Sequence, residues 1–238
     1  MNVKKTPRRG FLGRMIGAAA AAGLPITHFG SSVAAQQQPG PDDWMKEVRG
    51  THRSLFDFPR HSNGFGLLHI ANYLGTYSAA YKTGPGQVGA VGTFYGMGGA
   101  ASISMAFNDA MWAKYALGDY AGLKDASGKP YTRNVFHRPT RADAHLLAQA
   151  LQSPNFAMLG DAIPGIGIES LQKMGTKFIL CNNALQGWAL ELEARGKGKA
   201  PAIEADLRAN LLPGVTIVPA MVIAIEKAQA AGIAYNRQ

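Results

Sequence analysis

Cysteine is almost missing from this chain: 238 residues contain one, Cys181. A single thiol excludes an internal disulfide and any zinc site built on cysteine pairs. Acidic residues are absent before Asp42. No Gly-x-Ser-x-Gly elbow, Walker A sequence or His-Glu-x-x-His pattern occurs, which removes the usual signatures of a serine hydrolase, a P-loop nucleotidase and a zinc protease. His52, His61, His69, His137 and His145 include no pair at i, i+3 or i, i+4, and Met97, Met105 and Met111 form no Met-x-x-Met repeat. No metal site and no other cofactor is expected. An internal repeat is also lacking.

What stands at the N-terminus is a leader. Lys4, Lys5, Arg8, Arg9 and Arg14 precede or punctuate a modestly apolar stretch from Phe11 to Leu24, and small residues follow at Val33-Ala34-Ala35. The apolar run is short and interrupted by glycine, so it makes a poor bilayer span. Thr6-Pro7-Arg8-Arg9-Gly10-Phe11-Leu12 resembles a twin-arginine export signal, with Pro7 where serine is common. The expectation is a signal peptide over 1–35, cleaved near Ala35, which engages the twin-arginine translocase and delivers a periplasmic protein without a stable membrane anchor. An ordinary secretory signal or a short anchor is the alternative. The leader also accounts for much of the +9 net charge. It holds five of the 24 basic residues and no acid, leaving 19 basic against 15 acidic residues, a net +4. With the basic residues dispersed, no nucleic-acid partner is expected.

The remainder, 47% of the whole chain being hydrophobic, has the length of one domain. Residues 36–50 read as a polar, proline-containing mobile tail. A strand is expected over Thr51–Phe58, then a helix from about Asn63 to Tyr81. In that helix Leu67, Ile70, Ala71, Leu74 and Ser78 fall on one stripe. Val88–Tyr95 reads as an internal strand, and a helix is expected over Ser104–Tyr115. Residues 117–141 look like a long loop or insertion. Helical pattern returns at Ala142–Leu151 and Gly165–Met174, followed by a strand at Lys177–Cys181 and a helix carrying Leu185, Trp188, Ala189 and Leu192. The last elements are a strand at Gly214–Val218, a helix at Pro219–Ala231 packed through Val222, Ile225 and Ala228 or Gln229, and a short strand at Ile233–Tyr235. Strands alternating with helices imply an α/β fold, a three-layer sandwich around a mainly parallel sheet. Ligands of such sheets bind at the carboxyl ends of the strands, here Tyr95-Gly96 and Cys181-Asn182.

A thiol between a strand end and a helix start lies near unpaired N–H groups, which stabilise thiolate. Asn182 or Asn183 is expected to cap that helix. On spacing alone Cys181 is either a reactive group or inert core packing. Gly96, Gly98 and Ala101 satisfy G-x-G-x-x-A between a strand and a helix, a weak dinucleotide signal, with a tight turn beside the Cys181 pocket as the plainer reading. Asn108, Asp109 and Trp112 share a polar-aromatic helix that suits either a ligand pocket or an oligomer interface.

Gly175-Thr176-Lys177-Phe178-Ile179-Leu180-Cys181-Asn182-Asn183-Ala184-Leu185, then Leu211-Leu212-Pro213-Gly214-Val215-Thr216-Ile217-Val218-Pro219-Ala220, and finally Gly232-Ile233-Ala234-Tyr235 together resemble the DsrE/DsrF-like family. The resemblance is specific from Gly175 to Tyr235 and looser from Thr51 to Tyr115. It implies a flavodoxin-like α/β domain over 51–238, interrupted at about 117–141, that assembles into homo-oligomers. It further implies sulfur handling, with a persulfide on Cys181, Asn182 beside it, and a sulfur-carrier or redox partner. Small-ligand binding and a non-catalytic assembly role are the alternatives. Many family members carry His-Gly at the end of the second strand, where this chain has Tyr95-Gly96.

Overall fold

The computed structural model describes residues 40–153 and 160–238; the signal peptide expected over 1–35 lies outside them. Five strands form one parallel sheet in the order β4-β3-β2-β1-β5, where β1 is His52–Asp57. Helix α1 (Phe65–Tyr81) leads to β2 (Val88–Phe94). A long crossover follows, with α2 (Asp109–Tyr115), α3 (Leu117–Tyr120), α4 (Ala144–Ala150) and α5 (Ile168–Lys173). Then come β3 (Thr176–Cys181), α6 (Asn182–Ala194), α7 (Ala200–Ala209), β4 (Val215–Val218), α8 (Met221–Ala230) and β5 (Ala234–Arg237). This is the α/β three-layer class that the alternation of elements implies. Among the described residues, no helix is long and apolar enough to cross a membrane.

β2 is buried along its whole length and β5 is exposed along its whole length. That gradient explains the nearly continuous apolar sequence of the central strands. Register pairs Phe56 with Gly92 and Gly92 with Phe178, so these residues share one face of the sheet. There the Phe94 and Phe178 rings stack 5.1 Å apart. Gly92 makes room for them, since a Cβ at that position would sit 2.4 Å from the Phe178 ring. Of the expected α1 stripe, Leu67, Ile70 and Leu74 are buried, each such side chain contributing about 1.5–3 kcal/mol, whereas Ala71 is half-buried and Ser78 is exposed. The opposite face carries Asp57, Thr93 and Cys181 and is covered in part by α8.

Four expectations are corrected. The segment from Gly40 to Gly50 is packed rather than a mobile tail: Asp43–Glu47 forms a 3-10 helix, and Trp44 and Val48 are buried in the main core. The helix expected over Ser104–Tyr115 is two pieces, a 3-10 helix at Ser102–Ala106 and α2. Phe107 between them is extended and bridges to Leu211, and Asn108 restarts the helix by accepting from the Met111 N–H. Helix α8 packs through Ala228 and Ile225 as expected, but not through Val222. Met221, Ala224 and Ala228 are buried, whereas Val222 is 74% exposed. Helix α7 had no expected counterpart; it is buried through Ala200, Ile203 and Leu207, of which only two are large apolar residues, a thin periodic signal. Residues 117–141 open with the short helix α3 and are irregular beyond it, and Tyr131, Val135 and Phe136 belong to the core.

Candidate functional site

The carboxyl edge of the sheet, on the α8 side, gathers the conspicuous chemistry. Cys181 is the last residue of β3 and itself caps α6. Its Sγ accepts from the Ala184 N–H at 3.4 Å. A second N–H reaches it from Met221, the first residue of α8, at 3.3 Å. One sulfur thus receives the amino ends of two helices, of 13 and 10 residues. Both N–H groups belong to the set that a helix cannot satisfy internally. Neither asparagine caps the helix, contrary to expectation. Asn182 is instead bonded through its side-chain oxygen to Arg208, and Asn183 is exposed. Cys181 is 6% exposed.

Tyr95 follows β2. Register pairs Phe94 with Leu180, which puts Tyr95 next to Cys181 on the neighbouring strand. Its backbone is clamped by the buried Ser102 hydroxyl, which accepts from the Tyr95 N–H at 3.1 Å. The Tyr95 side chain reaches Asp57. Burial, then hydrogen bonding and charge from Asp57, push its hydroxyl well above the ordinary tyrosine range. Asp57 closes β1 and is 5% exposed. Its carboxylate accepts from the Tyr235 hydroxyl at 2.8 Å and is met by the Thr93 hydroxyl at 3.3 Å. The hydrogen bond to Asp57 likewise raises Tyr235, with burial second. Asp57, Thr93, Ser102, Tyr235 and Met221 were not singled out from sequence. An acid ending an apolar strand, at the edge where ligands bind, was the available signal for Asp57.

The glycine turn has a local explanation. Gly96 and Gly98 have φ of +95° and +83°, and a Cβ on Gly99 would stand 2.1 Å from the Tyr120 carbonyl oxygen. The turn opens onto the 3-10 helix at Ser102–Ala106 instead of an α-helix, so the helix terminus of a dinucleotide fingerprint does not follow it. The Gly98 N–H instead donates to the Glu191 carboxylate at 3.3 Å. Met97 extends from this turn over Gly187 of α6.

Asn108, Asp109 and Trp112 are not brought to this edge as a polar pocket wall. Asn108 caps α2 and donates to Asn210 at 3.1 Å. Asp109 accepts from the Asn134 N–H at 2.8 Å, fastening the long crossover. Trp112 is fully buried and donates to the Ser104 carbonyl at 3.0 Å. Among the described residues, no three His, Cys, Asp or Glu side chains group as metal ligands. The edge therefore defines a class: a parallel α/β protein with a buried thiol at two helix amino ends, beside a tyrosine-bonded carboxylate. No family model, curated protein or solved structure matches the chain.

Proposed function

We propose that this is an exported, DsrE-like α/β protein that accepts sulfane sulfur on Cys181, its leader directing it to the periplasm through the twin-arginine translocase. The observation that carries the reading is the pair of N–H donors, Ala184 and Met221, converging on one sulfur. Negative charge formed there is received by two helix amino ends. In the step, the Cys181 thiol releases its proton to water and the thiolate attacks a terminal sulfur of an inorganic polysulfide. A new S–S bond forms at Sγ, the donor's S–S bond breaks, and the electron pair leaves on the shortened polysulfide. The low exposure of Cys181 selects a slim, unbranched donor over a protein disulfide. A sulfur-carrier or redox partner would then take the sulfur onward.

A second reading is a non-catalytic binding or assembly protein that retains the fold. It is favoured by the same low exposure, since the sulfur already caps two helices. Mass spectrometry of the folded protein after polysulfide treatment separates the two. The first reading requires a 32-dalton addition on Cys181 (the mass of one sulfur atom, about 32 by elementary chemistry) that is absent in Cys181→Ser. A thiol that stays unmodified when folded but reacts fully after denaturation would sink it.

A further inference from the structure

Helix α1 carries an aromatic residue at every fourth position: Phe65, His69, Tyr73, Tyr77 and Tyr81. Each step rises about 6 Å along the helix axis, so the rings form a ladder beside the buried stripe. The ladder is continuous in space over much of its length. Ring centroids lie 4.2 Å apart for Phe65 and His69, 5.0 Å for Tyr73 and Tyr77, and 5.1 Å for Tyr77 and Tyr81. From β1, His52 stacks on Tyr77 at 4.6 Å and Phe56 meets Tyr73 at 5.4 Å.

This ladder is one wall of an open groove of about 630 Å³, whose other side is the exposed β5 end. The volume falls within the range of small-ligand sites. Neutral hydrogen-bonding groups flank the rings: Asn72 and Thr76 on α1, Asn236 and Gln238 beyond. Among the described residues, the hydroxyls of Tyr73, Tyr77 and Tyr81 have no hydrogen-bond partner. Tyr73 is half-buried; its burial, with Tyr77 adding to it, pushes its hydroxyl up to about 12. None of these hydroxyls is among the fully buried polar atoms, so each is open to pair with a guest in the groove.

The lining contains no acid, so nothing complements a cationic guest of the aromatic rings. Arg237 also lines the groove, but it is paired in register with Asp57 and its charge acts on Tyr95 and Tyr235, so its guanidinium is directed to the other face of the sheet. The ligand chemistry that fits is neutral, with flat apolar faces for the rings and many hydroxyls along its edges for amides and phenols. We infer that the groove between α1 and β5 is a binding site for a neutral pyranose oligosaccharide, seated on the Tyr73–Tyr77–Tyr81 ladder and held by Asn72 and Asn236. This site lies on the opposite face of the sheet from the Cys181 thiol and does not depend on the sulfur chemistry proposed for it.

Calorimetric titration of the purified protein with maltohexaose, cellohexaose and chitohexaose tests it. At least one should bind, and Tyr77→Ala should weaken that binding about tenfold with the far-UV circular dichroism unchanged. Tyr73→Phe, which keeps the ring and removes only the unpartnered hydroxyl, should weaken it by a smaller factor. Failure of all three sugars at millimolar concentration overturns the inference, as does equal binding by a folded Tyr77→Ala. A decaproline peptide that binds where the sugars do not would assign the groove to a protein ligand instead. A dimer that Tyr77→Ala dissociates would assign it to self-association and equally overturn the proposal.

Discussion

Replacing Cys181 separates a hydrogen-bonding sulfur from a sulfur that only fills space. As a small hydrophobe, Cys181 should be replaced more gently by alanine than by serine, because serine brings a hydroxyl into a site that is 6% exposed. The geometry argues for the reverse order. Alanine leaves two N–H groups, of Ala184 and Met221, without the acceptor they now share. Loss of a helix cap costs about 1 kcal/mol, and a second buried donor left unsatisfied adds about 1–2 kcal/mol. The sum for Cys181→Ala is therefore about 2–3 kcal/mol. Serine keeps an acceptor at a shorter reach and should lose about 1 kcal/mol. Urea unfolding monitored by tryptophan fluorescence resolves that difference. In a thermal scan the alanine variant should melt roughly 5–10 °C below the parent, given about 2–4 °C per kcal/mol for a chain of this size. If alanine proves as stable as serine, or more so, the double-cap account of Cys181 is wrong. The sulfur is then packing, and the anion-receiving argument for sulfur transfer goes with it.

Two further outcomes follow from other parts of the scaffold. Gly99→Ala should destabilise by about 3 kcal/mol, at the upper end of overpacking costs, because the new Cβ meets the Tyr120 carbonyl at 2.1 Å. Gly98→Ala has open space and strains only φ, so about 1 kcal/mol is expected; equal losses in chemical denaturation would refute the close-approach explanation of this turn. Asp143 fastens the long crossover through Arg133, Tyr131 and Thr140. Burial pushes its carboxyl up, but hydrogen bonds from Tyr131, the Thr140 backbone and Arg133 outweigh it and hold the group below the usual range. A folded pKa below the unfolded value gives stability that is complete above about pH 4 and is lost as pH falls toward the folded value. Asp143→Asn should accordingly flatten the acid limb of the stability profile and remove about 2–3 kcal/mol at neutral pH, the pair being partly open to solvent on the Arg133 side. An unchanged acid limb would show that the carboxylate does not stabilise the crossover.

Where the sequence was readable, one physical cause dominated. β2 and β3 are buried on both faces, so their apolar runs are unbroken, and α1 declares itself through Leu67, Ile70 and Leu74. The parallel α/β class follows from those elements, and the carboxyl-edge rule led directly to Cys181. Failures came where tertiary contacts outrank local pattern. Val222 and Ile225 made a plausible apolar face for α8, but the tie between the Met221 N–H and Cys181 fixes the start of the helix, and Val222 turns outward. Trp44 stands alone in a polar segment, so no period announces its burial. Phe107 and Asn108 break what reads as a continuous helix because Phe107 pairs with Leu211, more than a hundred residues away. Asp57 escaped notice for a similar reason: its partners Thr93 and Tyr235 come from separate strands, and no local spacing joins them. The aromatic ladder of α1 was open to view, but a four-residue aromatic repeat lies outside the apolar-stripe template.

Tyr95 ties these features together. It occupies the strand end next to Cys181 but is turned toward Asp57, whose carboxylate also holds the Tyr235 hydroxyl. Asp57 is a buried carboxylate on the same sheet face as the thiol, and its charge would oppose a neighbouring anionic sulfur. Hydroxyl donors from Tyr95, Tyr235 and Thr93 surround Asp57, and the helix amino ends meet the sulfur. The edge thus holds two environments, one built from the hydroxyls of Thr93, Tyr95 and Tyr235 around Asp57 and the other from backbone N–H groups of α6 and α8 around Cys181. A histidine in place of Tyr95 would bring a titratable cation between them and couple the two. With tyrosine there, the interaction is a hydrogen bond to a fixed carboxylate, and the chemistry of Cys181 rests on the backbone alone. That division makes the two helix amino ends, rather than any side-chain base, the feature on which the sulfur transfer proposed for this edge stands or falls.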